Sequence, residues 1–123
     1  MSEQPMNGKQ SPVQAENKPT DSQLAEWKAQ YGKIQKMETN DLDLGEIVIV
    51  IKKPRKSSFN RFQDEVLKKG SKAMEQFVLE NVLYPERKEL IRLFEAKPGI
   101  VLGLVDELQS EMGIDMGFSV TEF

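Results

Sequence analysis

The side chains able to do chemistry in this chain are carboxylates, lysines, arginines and hydroxyls, because its 123 residues contain no histidine and no cysteine. Histidine is the usual general base near neutral pH and the commonest transition-metal ligand, and the cysteine thiolate is the usual soft nucleophile. Their absence excludes a Ser-His-Asp triad, a Cys-His pair and any ordinary zinc site. A carboxylate site for magnesium or calcium would need clustered acids. The nearest candidate is Asp41-Leu42-Asp43-Leu44-Gly45. A calcium loop starting at Asp41 would have Gly45 at its fifth position and Lys52 at its twelfth, where the bidentate glutamate belongs. A β-turn accounts for the same letters.

Other signatures fail for stated reasons. Lys97-Pro98-Gly99 lacks the ending of a phosphate-binding loop. Glu86, Glu89 and Glu95 alternate with Arg87, Lys88 and Arg92 as on a solvated helix face, with no acid–base pair among them. No cofactor and no catalytic residue is expected, and binding of another protein is the expected mode of action.

Net charge is only −3, but it is unevenly spread. The segment 52–72 carries eight bases (Lys52, Lys53, Arg55, Lys56, Arg61, Lys68, Lys69, Lys72) against Asp64 and Glu65, whereas residues 74–123 hold ten acids against four bases. This polarity would favour association of two copies or pairing of one domain with itself, so a homo-oligomer is one expectation. Within the basic segment, Lys52, Lys53, Arg55, Lys56 and Arg61 are the candidates for phosphate contact in a nucleic-acid-binding regulator. Only Phe59 and Phe62 interleave with them, at a spacing that suits a helix core better than a base-stacking platform, and the chain as a whole is acidic.

The elements that would position these residues follow from periodicity. Residues 1–20, rich in Pro, Gln, Asn, Ser and Lys, read as a disordered N-terminal tail. Residues 21–113 read as a single globular domain, and 114–123 as an apolar C-terminal tail. Thr20, Asp21 and Ser22 offer caps for a short helix in which Leu24, Trp27 and Tyr31 share a face, with Trp27 as core anchor and Gly32 as terminator. Residues 33–38 and 46–53 predict a hairpin. The run Ile47-Val48-Ile49-Val50-Ile51 reads as a central strand covered on both faces, with a second copy on one face as the alternative.

Four amphipathic helices then follow. Ser57 or Ser58 caps the first, which has Phe59, Phe62 and Val66 inward and closes at Gly70. The second, with Met74, Phe77, Val78 and Val82 inward, breaks at Tyr84-Pro85. Residues 86–96 carry Leu90, Ile91, Leu93 and Phe94. Pro98 starts the last, striped by Val101, Leu104, Val105, Leu108 and Met112. The fold class is therefore α+β, mainly α: a short helix, a β-hairpin and a bundle of about four short helices. No stretch reaches the roughly 18 apolar residues of a membrane span, and no signal-peptide pattern is present, so a soluble, cytoplasmic protein is expected.

Along the chain Trp27-Lys28 and Tyr31-Gly32-Lys33 are followed by Ile51-Lys52-Lys53-Pro54, Val82-Leu83-Tyr84-Pro85, Lys97-Pro98-Gly99-Ile100 and the closing Met112-Gly113. This order of features resembles the small tail assembly chaperones of long-tailed bacteriophages. The resemblance implies a non-catalytic protein that coats the tape-measure protein and helps recruit tail-tube protein during phage or prophage tail morphogenesis. The last helix and the tail, through Leu108, Met112, Met116, Phe118 and Phe123, are the expected partner surface, methionine being adaptable to varied partners. A structural virion component or adapter is the neighbouring alternative.

Overall fold

The computed structural model describes residues 18–114 and 116–123, so most of the expected N-terminal tail lies outside the described residues. Thr20 starts the first helix, α1 (Asp21–Tyr31), through a reciprocal capping box. Its Oγ1 accepts from the Gln23 N–H at 3.1 Å, while its own N–H donates to Gln23 Oε1 at 2.9 Å. Gly32 ends the helix at φ 82°, donating its N–H to the Lys28 carbonyl. Leu24 and Trp27 are half-buried, Tyr31 is exposed, and no α1 residue is fully buried. The expectation of Trp27 as a core anchor is corrected accordingly. Three apolar residues on an otherwise polar helix make a stripe too narrow to sink it into a core.

The sheet has three antiparallel strands in the order β1 (Ile34–Asp41), β2 (Gly45–Lys52), β3 (Val82–Tyr84). The expected hairpin is present. Its register runs unbroken from Ile34 opposite Lys52 to Asp41 opposite Gly45. Asp41 makes the turn: one carboxylate oxygen, Oδ2, accepts from the N–H groups of Asp43 at 2.9 Å and Leu44 at 3.0 Å. β2 is the middle strand, and Ile47 to Ile51 are all buried within one chain. A second copy is not needed to cover it.

β3 departs from the expectation that Val82 continues a helix. Val82 and Tyr84 have the β-branched and aromatic shapes that suit a strand, and they pair with Ile51 and Val50. The free side of β2 offers a row of backbone groups that β3 satisfies. Pro85, with no N–H to donate, stops the ladder.

Two compact units are interleaved along the chain. The first holds α1, the sheet and residues up to Leu90; the second holds residues 53–81 and 91–123. In the second unit α2 (Lys56–Lys69) packs on α3 (Ser71–Asn81), and α3 packs on α5 (Gly99–Glu111), with α4 (Arg87–Ala96) shared between the units. Neither Ser57 nor Ser58 caps α2. Arg55 occupies the cap position without a side-chain bond, and Ser58 lies inside the helix with its hydroxyl buried.

The aromatic face of α2 is as expected. Phe62 stacks on Phe77 with ring centroids 4.4 Å apart and planes 9° from parallel, and Phe59 approaches the same ring at 6.3 Å. Gly70 turns the chain between α2 and α3 at φ 53°, a backbone region that disfavours a side chain. From α3, Ala73, Phe77, Val78 and Asn81 are buried; from α5, Val101, Leu104, Val105 and Leu108 form the predicted stripe.

Candidate functional site

α5 ends in a turn held by backbone bonds, with Gly113 N–H donating to Ser110 O at 3.0 Å and Ile114 N–H to Gln109 O at 3.2 Å. Residues 116–123 have no regular secondary structure. Their apolar side chains face solvent: Met116 is 62% exposed, Phe118 81%, Val120 91% and Phe123 113%, following Ile114 at 58%. Scattered single apolar residues on a surface are ordinary, but several within ten consecutive residues are not. Alternate positions of 114, 116, 118 and 120 are all apolar, the pattern of a strand or an extended peptide waiting for a groove.

The expected partner surface thus divides. Met116, Phe118 and Phe123 are exposed, Met112 is half-buried, and Leu108 is wholly buried. The assignment of Leu108 to a contact surface is corrected: it belongs to the buried stripe of α5 and reaches a partner only if that helix leaves its core. A stripe at helical spacing looks the same whether it faces a core or a partner, and this one faces the core.

The basic candidates separate in a similar way. The Lys52 ammonium lies over the Tyr31 ring, 5.3 Å from its centroid. Lys53, Arg55 and Lys56 are exposed. Arg61 turns onto α3 and donates from Nη1 to Glu80 Oε2 at 2.6 Å. Phe62 is buried against Phe77 and Phe59 is half-buried, so neither offers an open face for stacking bases.

Glu80 accepts hydrogen bonds from three side chains. Ser58 Oγ donates to its Oε1 at 2.8 Å, and Gln76 Nε2 joins Arg61 on its Oε2 at 3.1 Å. Burial by itself would raise its pKa, but the bonds from Ser58 and Gln76 and the charge and bond of Arg61 outweigh it and hold the carboxyl below the ordinary glutamate range. Beneath this network lies Asn81, whose Nδ2 donates to Ser58 Oγ at 3.2 Å and to the Phe77 carbonyl at 2.8 Å. Both neighbours need a donor, because the Ser58 proton is already given to Glu80. The amide orientation is therefore fixed, and its Oδ1 is left buried without a partner among the described residues.

This network escaped the sequence reading because its bonds between the two helices join residues 19 to 23 positions apart. It has the character of a helix–helix clamp. Its acid is fully engaged by donors, and the cavity beside it, which Glu65 also lines, is too small for a substrate. In the first unit, Tyr84 is raised by burial and then by the charge of Glu89. Among the described residues no group of three or more acids could hold a metal ion, and no helix is long and apolar enough to cross a membrane.

A mainly helical α+β chain with a three-stranded antiparallel sheet is the class these observations define. The chain belongs to a family described as a domain of unknown function, DUF6848, matched over residues 27–121. It is similar in fold to a solved structure of the uncharacterised protein RBSTP2171 from Bacillus stearothermophilus. The identity is 22%, the TM-score 0.65, and the likeness covers 80% of this chain and 99% of that one. No curated protein matches the chain.

Proposed function

We propose that this protein is a non-catalytic binding module that acts as a tail assembly chaperone of a phage or prophage, engaging the tape-measure protein through its C-terminal tail. The observation that carries the reading is the solvent exposure of Ile114, Met116, Phe118, Val120 and Phe123 beside a folded core. A tape-measure protein is a long, helical, apolar-rich chain, and an extended apolar segment on a small folded carrier would cover part of such a surface until assembly.

The assignment of the partner rests on the resemblance of sequence features, and the exposed tail supports it by supplying a surface that needs a cover. The exposed phenylalanines would contribute most, since each buries about 150–250 Å² when covered. The test is co-expression with a phage tape-measure protein, followed by affinity capture. The full chain should retain that protein in soluble form, and the chain ending at Gly113 should not. Equal capture by both would remove the tail from the account; capture by neither would remove the chaperone reading.

A further inference from the structure

Among the described residues, β1 is an edge strand of the sheet. It is bonded to β2 along all eight residues without a bulge, and in the sheet order no strand follows it on its outer side among the described residues. Natural sheets blunt such edges with proline, a bulge, a very short strand, a covering element or charged side chains, and on β1 the charges, Lys36 and Glu38, are of opposite sign, so they can pair across an edge as well as guard it. β1 has no proline and no bulge, it is eight residues long, and Lys36, Glu38, Thr39 and Asn40 along it are exposed.

The sequence of the strand says what would fit there. Two copies joining their β1 edges in one continuous antiparallel sheet are related by a two-fold axis perpendicular to the sheet, so residues of the same parity must oppose one another. With the axis through Met37, Lys36 of one copy lies opposite Glu38 of the other, and Glu38 opposite Lys36. Gln35 then faces Thr39, and Ile34 faces Asn40. Moving the axis by one residue either way sets Lys36 against Lys36 or Glu38 against Glu38, each a like-charge pair directly opposite and destabilising. The only centring among these three that pairs opposite charges is the one on Met37.

We infer that the β1 edge is a self-association surface whose occupant is the β1 strand of a second copy of this chain, antiparallel and centred on Met37, giving a six-stranded sheet across the dimer. The two charges are free to serve it. Lys36 and Glu38 already lie on one face at 3.8 Å, at 45% and 49% exposure, in a pair that solvent screens. In the dimer they become a quartet of alternating sign. The surface involves neither the C-terminal tail nor the basic segment, so its failure would leave the proposed function standing.

The experiment is sedimentation equilibrium of the full chain and of three charge variants, K36E, E38K and K36E/E38K, with circular dichroism to confirm that each folds. The 14.0 kDa chain should sediment as a dimer at micromolar concentration. K36E and E38K should each dimerise about tenfold more weakly, since both cross-strand pairs become repulsive. The double swap should restore the wild-type constant, and an equimolar mixture of K36E and E38K should form a heterodimer, because one edge is then all negative and the other all positive. A monomer at about 100 μM, or dimers indifferent to these charges and to mixing, would overturn the inference.

Discussion

Replacing Glu80 by alanine removes one side chain that three donors from two helices share. The Ser58 bond, part-buried and 2.8 Å long, is worth about 1 kcal/mol, and its loss leaves a buried hydroxyl short of an acceptor. The Arg61 pair is half exposed and contributes roughly 0.5 kcal/mol after screening, with a few tenths more from Gln76 one helical turn away. The expected loss is about 2 kcal/mol, or roughly 6–10 °C in Tm for a chain of this size. Urea denaturation followed by circular dichroism measures it. The difference between wild type and Glu80→Ala must also depend on pH. The folded pKa of Glu80 lies below its unfolded value, so its contribution is fully present above about pH 4.3 and fades as pH falls through the folded pKa. A loss under about 0.5 kcal/mol at pH 7, or a difference that does not shrink in acid, would refute the reasoning.

Other changes give separate checks. Phe77→Ala should cost about 3–5 kcal/mol by denaturant titration, because the ring is 1% exposed and stacked on Phe62. Gly70→Ala should cost about 1 kcal/mol for backbone strain alone, since nothing lies within 4 Å of the added carbon; a calorimetric Tm unchanged within error would contradict the φ of 53°. Tyr84 should ionise above the ordinary value of about 10, seen as a late phase of phenolate absorbance that disappears in Tyr84→Phe. The stabilisation tied to its proton is therefore kept below pH 10 and lost as pH rises through the raised value.

Much of the fold could be read from local patterns. Thr20 with Gln23, the unbroken run from Ile47 to Ile51, and the stripe from Val101 to Leu108 each carry their signal within one or two turns of chain, and each forms the element expected of it. What could not be read depends on distant partners. Val82 to Tyr84 has apolar residues that suit either a helix end or a strand, and only the open side of β2 decides for the strand. Ser58 looks like a cap by its neighbours and becomes a bridge because Glu80 and Asn81 arrive from another helix. Leu108 and Phe118 are equally apolar letters, yet one is fully buried and the other 81% exposed, a difference set by whether the helix continues past Met112. Trp27 is half-buried for the complementary reason: its helix supplies too few apolar neighbours.

The central claim is that the exposed tail binds a protein partner while the folded units carry it. The most direct measurement is the affinity of the full chain, the chain ending at Gly113 and the variant F118S/F123S for a recombinant tape-measure segment, by isothermal titration calorimetry. Exposed side chains add little to folding, so all three should melt within about 2 °C of one another. Truncation and the double variant should each weaken binding by about a hundredfold or more, given the apolar area that two phenylalanines bury. Equal affinity across the three proteins, with their melting unchanged, would contradict the account.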